Sequence, residues 1–279
     1  MLRRLAWLVA SCTGAALVVG ALITPAQAAP TKRAPSSASS PIRFPLSGRA
    51  VALTFDDGPD PRWTPRVLAL LAAHHAHATF FVTGRNAYLH AALLRAELAA
   101  GDEIANHTLD HPLLTVLGAA QARREVRGGA AVIRALGAPP PRWFRPPYGQ
   151  ATRSGVEAAA AQGERMVLWS WCVERYVDHE DAALGLRAMI RGTGPGDIIL
   201  AHDGGLPDRR RTMQALPVLL DELAHRGFHF VTLAQLEVMS RTRAEHDVRH
   251  AGRRAATPAP SAALTSSSVH ELLDTHELR

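Results

Sequence analysis

The chain has 279 residues, with 31 basic against 25 acidic and a formal net charge of +6. That length suits one large domain with a sizeable core. Lys32 is the only lysine, the arginines are scattered among alanines, and aromatics make up 5% of the residues. Without clustered charge and interleaved aromatics, nucleic acid is excluded from the expected partners.

In chain order, Arg3 and Arg4 precede an apolar run over residues 5–23, and Ala26-Gln27-Ala28 then offers a small-x-small cleavage site. This is the order of a signal peptide, read over residues 1–28. Two rivals are a retained anchor, for which the run is barely long enough, and a lipoprotein box at Val9-Ala10-Ser11-Cys12, which would leave a very short apolar region. The protein is expected to be exported, with no stable membrane span after cleavage. Cys12 lies in the signal, so Cys172 is alone and no internal disulfide forms. Residues 29–47, rich in Pro, Ser, Thr and Ala, read as a disordered linker. Residues 241–279 read as a disordered tail, with at most a short helix near 269–278.

Between 48 and 240, strand-like runs at 51–55, 78–82, 103–105, 142–144, 166–170, 197–201 and 228–231 alternate with helical patterns. The helices fall at about 65–75, 88–100, 119–136, 153–162, 181–191 and 212–226. Thr64-Pro65 reads as an N-cap with proline at the first helical position. Gly101, Gly137 and Gly227 stand where helices should stop. The alternation predicts a parallel sheet with helices outside it. Seven units fit a (β/α) barrel better than a short doubly wound sheet, and no G-x-G-x-x-G follows the first strand.

In such a barrel the chemistry gathers at the C-terminal ends of the strands. Asp56-Asp57 end the first strand, "NHTLDH" (106–111) the third, "RPPYG" (145–149) the fourth and "LAHDGG" (200–205) the sixth. His107 and His111 have the spacing of a metal-binding pair. They do not form an H-E-x-x-H helix, because Thr108 replaces the glutamate and Pro112 disfavours helix at His111. Two histidines and one aspartate would leave coordination positions open for water. Adjacent carboxylates repel, but strand neighbours point opposite ways. One of the pair can bind a dication while the other stays free as a base. An exposed turn is the competing reading of "DDGPD".

Together the motifs "TFDDG" (54–58), "HTLDH" (107–111), "RPPYG" (145–149) and "ILAHD" (199–203) resemble the polysaccharide deacetylase family, the NodB-homology domain of carbohydrate esterases, over about residues 49–239. The resemblance implies a distorted, incomplete (β/α) barrel and metal-dependent removal of acetyl groups from an acetylated polysaccharide. Carried over by position, it implies that Asp57, His107 and His111 hold a divalent metal, zinc first and cobalt or others second. Asp56 would be the general base and Arg145 its orienting partner. The Tyr148 backbone N–H would stabilise the oxyanion, His202 would be the general acid, and Leu200 would line the acetyl pocket.

One motif departs. The family usually shows W-x-x-D-x-x-D-W after the fifth strand, and an aspartate there tunes the acid histidine. Here the stretch is "WSWCVERY" (169–176), with Cys172 and Arg175 at the aspartate positions. Glu174 is the first candidate for a replacement partner of His202. The expected function is N-deacetylation of peptidoglycan, chitin or a similar amino-sugar polymer, by a monomer that is secreted or associated with the cell wall. The alternatives are an O-acetyl esterase of the acetylxylan type and a glycan-binding homologue with impaired turnover.

Overall fold

β1 (Ala50–Asp56) lies in the middle of the sheet, and all seven of its residues are buried. Successive side chains face opposite ways. Val51, Leu53 and Phe55 join the larger apolar cluster beneath the outer helices. Ala50 and Ala52 face the barrel interior, in a second cluster with Phe81, Ala105, Trp143 and Ile198. By the same alternation Thr54 and Asp56 continue that inner row, which delivers Asp56 to the mouth of the barrel.

The computed structural model describes residues 43–256, apart from His179 and Pro207. β2 (Thr79–Val82), β3 (Glu103–Asn106), β4 (Trp143–Phe144) and β5 (Arg165–Met166) follow outward from one side of β1. On the other side lie β6 (Trp171–Cys172) and β7 (Ile198–His202), with β7 against β1. The path β5-β4-β3-β2-β1-β7-β6 holds seven parallel strands, and β8 (His229–Val231) pairs with β1 beside it. β5 and β6 do not pair, so the curled sheet is an incomplete barrel.

Nine α-helices are described. α1 (Thr64–Ala73), α2 (Gly84–Leu89), α3 (Ala91–Ala99) and α4 (Ala119–Ala135) follow the first strands. α5 (Arg153–Ala160), α6 (Val173–Val177), α7 (Ala182–Gly192), α8 (Arg210–His225) and α9 (Leu233–Ala256) complete the set. α4 buries Ala122, Val126, Gly129, Ala130 and Ile133, one stripe of a 3.6-residue repeat. α3, α4 and α8 end two residues before Gly101, Gly137 and Gly227, as the punctuation predicted.

Five expectations are corrected. The strand expected over 166–170 is split in two: β5 pairs with β4 and β6 with β7. The helix expected over 88–100 starts earlier and breaks at His90 into α2 and α3. Thr64 is the first residue of α1, not its cap, and its hydroxyl is used by Asp203 instead. The linker reading fails for residues 43–47. Phe44 and Leu46 are buried in the second cluster, Phe44 meets Trp143 edge-on, and Arg43 pairs with Asp197. Two apolar side chains suffice to dock that polar segment. The tail reading fails for residues 241–256, which continue α9. The signal-peptide reading of residues 1–28, the linker reading of 29–42 and the tail reading of 257–279 fall outside the described residues.

Candidate active site

The sheet register brings the motif ends together before any side chain is considered. Asp56 stands beside His202 across the β1–β7 ladder, and Asn106 beside Phe144 across β3–β4. The next residues, Asp57, His107 and Arg145, therefore leave the sheet at one end. Five described residues other than glycine have left-handed backbone, and four are here: Asp57 (φ 75°), Thr108 (70°), His111 (60°) and Tyr148 (59°). Each such conformation costs roughly 1–3 kcal/mol and persists only where its surroundings enforce it. At Asp57 it ends the strand and sends two neighbouring carboxylates in different directions.

Asp56 turns to Arg145. Its Oδ1 accepts from Arg145 Nη1 at 2.7 Å, and Nη1 also reaches Thr54 Oγ1 at 2.9 Å. The guanidinium is fully buried, lies 4.0 Å from the centroid of the Phe81 ring, and donates to the Leu168 carbonyl. Burial pushes the Arg145 pKa down, and Asp56 opposes that push. Asp56 Oδ2 is left facing the site, 3.7 Å from His107 Nε2.

Asp57 turns to the histidines. Its Oδ1 lies 3.0 Å from His111 Nε2 and 3.4 Å from His107 Nε2. Burial pushes its pKa up, but His107, His111 and His202 around it outweigh burial and hold it below the usual carboxylate range. His107 Nδ1 donates to the Arg145 carbonyl at 2.7 Å, which leaves Nε2 as the ring nitrogen that faces Asp57. Imidazoles that bind metals are oriented in this way. One ligand atom from each of Asp57, His107 and His111 falls within 4.8 Å of the other two. Asp57 Oδ1 is buried without an aligned hydrogen bond. An orphaned carboxylate oxygen aimed between two imidazole nitrogens fits a divalent metal, and the N/O donor set suits zinc.

His202 has a carboxylate partner despite the altered motif. Glu174, in the first turn of α6, places Oε2 3.1 Å from His202 Nδ1, bent off the line of a straight hydrogen bond. Its Oε1 accepts from the His202 backbone N–H and from Thr212 Oγ1, each at 3.0 Å. Burial alone would lower the His202 pKa; Glu174 first, with Asp56 and Asp57, overrides it and raises the value. In return His202 holds Glu174 low against burial. Cys172 lines the cavity, its thiol pushed up to about 12 by burial and by Glu174. Arg175 is exposed.

These groups border one cavity of about 380 Å³, with Tyr148, Trp169 and Leu200 in its wall. Every site residue expected from the sequence is brought to it, with Arg145 beneath the floor holding Asp56. Sequence reasoning missed Arg209, which also lines the cavity and lies 3.4 Å from Asp57 Oδ2. In an arginine-rich chain a single arginine gives no signal.

Comparison with known proteins agrees with the geometry. A family model described as "Polysaccharide deacetylase" matches residues 45–167. A peptidoglycan-N-acetylglucosamine deacetylase of Bacillus cereus is 35% identical over 202 residues, which is 69% of this chain and 90% of the relative. A chitooligosaccharide deacetylase of a Bradyrhizobium strain is 37% identical over 204 residues, 67% of this chain and 90% of the relative. The solved structure of peptidoglycan deacetylase PdaC from Bacillus subtilis superposes with a TM-score of 0.65 at 30% identity, covering 73% of this chain and 97% of that one. Motifs, barrel and relatives converge: the chain belongs to the polysaccharide deacetylase family.

Proposed function

We propose that the protein is an exported, metal-dependent deacetylase that hydrolyses N-acetyl groups of an amino-sugar polymer such as peptidoglycan or chitin. The observation that carries this reading is the placement of Asp56 and His202 side by side in the sheet, with the Asp57–His107–His111 set at the same end. Both relatives named above are N-deacetylases of such glycans. Peptidoglycan lies outside the cytoplasmic membrane, which supports export. No helix among the described residues is long and apolar enough to cross a membrane.

Asp57, His107 and His111 hold the metal, zinc by preference. When bound, a dication there supplies Lewis-acid polarisation and makes a water acidic near neutral pH. Arg145 fixes Asp56 through Oδ1, so Oδ2 is the atom that takes the proton from the attacking water. The water oxygen adds to the acyl carbon. The Tyr148 backbone N–H stabilises the oxyanion, and removing such a donor typically costs about 10²–10³ in rate. His202 keeps Nδ1 on Glu174 and gives a proton from Nε2 to the leaving nitrogen. The C–N bond breaks, releasing acetate and a free amine. Leu200 and Trp169 offer an apolar wall to the acetyl methyl.

The glycan-binding alternative drew its support from the missing carboxylate in "WSWCVERY". Glu174 supplies one, and that support is gone. Acetate release from N-acetylglucosamine oligomers and from acetylated xylan tests the proposal. Release from the oligomers is expected, abolished by chelation and restored by zinc or cobalt. Full activity of metal-free protein would sink the mechanism, and release from xylan alone would sink the substrate class.

A further inference from the structure

The loop after β7 grips Asp57 from the side away from the histidines. Arg209 is 6% exposed. Its Nε donates to the Gly204 carbonyl at 2.8 Å, and its Nη2 donates a long hydrogen bond of 3.4 Å to Asp57 Oδ2. Gly205, at φ 77°, packs against the same oxygen, and a Cβ there would overlap Oδ2. Across from them, Asn86 Nδ2 donates to the main-chain carbonyl of Asp57 at 2.7 Å. Oδ2 is thereby turned away, and Oδ1 alone faces the two imidazoles.

We propose that Arg209 is a positioning residue for the Asp57 carboxylate: with Gly205 it holds Oδ2 out of the site, so that Oδ1 is presented together with His107 and His111. The inference rests on the reading of those three residues as metal ligands. A carboxylate free to turn about its Cβ–Cγ bond scatters both oxygens unless something outside the site fixes it. Groups that orient metal ligands from outside are typically worth about 10–100-fold in affinity. Charge alone acts in the other direction. A guanidinium beside a ligand repels a dication, so its removal would tighten binding. The two effects have opposite signs, and one measurement separates them.

The experiment uses the full chain. Zinc dissociation constants are measured by competition with a chromophoric chelator, and visible spectra are recorded with cobalt, for wild type, Arg209→Met, Gly205→Ala and Asp57→Asn. Circular dichroism of the metal-free proteins checks that each variant folds. Arg209→Met and Gly205→Ala are each expected to weaken zinc about 10–100-fold and to change the cobalt absorption bands. Folded Arg209→Met with unchanged or tighter zinc binding and the wild-type cobalt spectrum overturns the proposal. If Arg209→Met does not fold, unchanged affinity in Gly205→Ala overturns it. Wild-type zinc binding by Asp57→Asn instead overturns the metal reading beneath it, and so tells the two failures apart.

Discussion

Asp56 and Asp57 share a residue type and a peptide bond, yet their surroundings assign them different work. Asp56 is held by a buried guanidinium, and Asp57 by two imidazoles and Arg209. Asp56→Asn keeps the shape and removes the proposed proton acceptor, so turnover is expected to fall at least about 10²-fold with metal content unchanged. Asp57→Asn is expected to lose metal. Equal loss of metal in both variants, measured by atomic absorption, would refute the division. Glu174 gives a second prediction. In the proposed mechanism His202 must be protonated to act as the acid, so activity is expected to fall as pH rises through its pKa. Glu174 raises that pKa against burial. Glu174→Gln is therefore expected to move the alkaline limb of the pH–rate profile to lower pH, while the amide oxygen still accepts from Thr212. An unmoved limb would mean that Glu174 does not tune His202.

At the scale of elements, the two ends of the domain make different contributions. Phe44 is buried in the second apolar cluster, against Trp143 and at the Ala50 end of β1, opposite the Asp56 end. Phe44→Ala is expected to cost about 3 kcal/mol in urea unfolding without changing kcat; a lost kcat would tie this end to the site. α9 buries Leu233, Leu236, Glu237 and Ser240, while Arg241 and Thr242 beyond them are exposed. A chain ending at Ser240 is thus expected to keep its activity, and acetate release by that shorter protein is the check. Strong periodicity made α1, α4, α5, α7 and α8 legible in the sequence, as did the apolar runs of β1, β2 and β7. The split at 167–170 was not legible, because pairing to two different neighbours leaves no mark in a run of apolar residues. The docking of residues 43–47 was hidden for a related reason: two apolar residues in a polar stretch resemble a linker until Trp143 is placed beside them. In the site, the residues carried by motifs were readable. Arg209 reaches Asp57 only through the path of a loop, and no spacing encodes it.

For the whole molecule, the interrupted barrel decides which residues can be changed independently. The chain between β5 and β6 leaves one edge for the other, and the carbonyls of Val167 and Leu168 turn to Arg145. The same guanidinium crosses the interior to Thr54 and Asp56. Removing it would leave Asp56 buried without its partner, a loss of about 3–5 kcal/mol in comparable buried pairs. Arg145→Leu is expected to lower the thermal unfolding midpoint and turnover together, and a variant that lost turnover at wild-type stability would contradict this. An inactive protein meant to trap a bound glycan for crystallography should therefore be made at His202, which lies outside that buried pair. Arg145 is a tie-rod across the gap, and a trap built there would slacken the very walls that must hold the sugar.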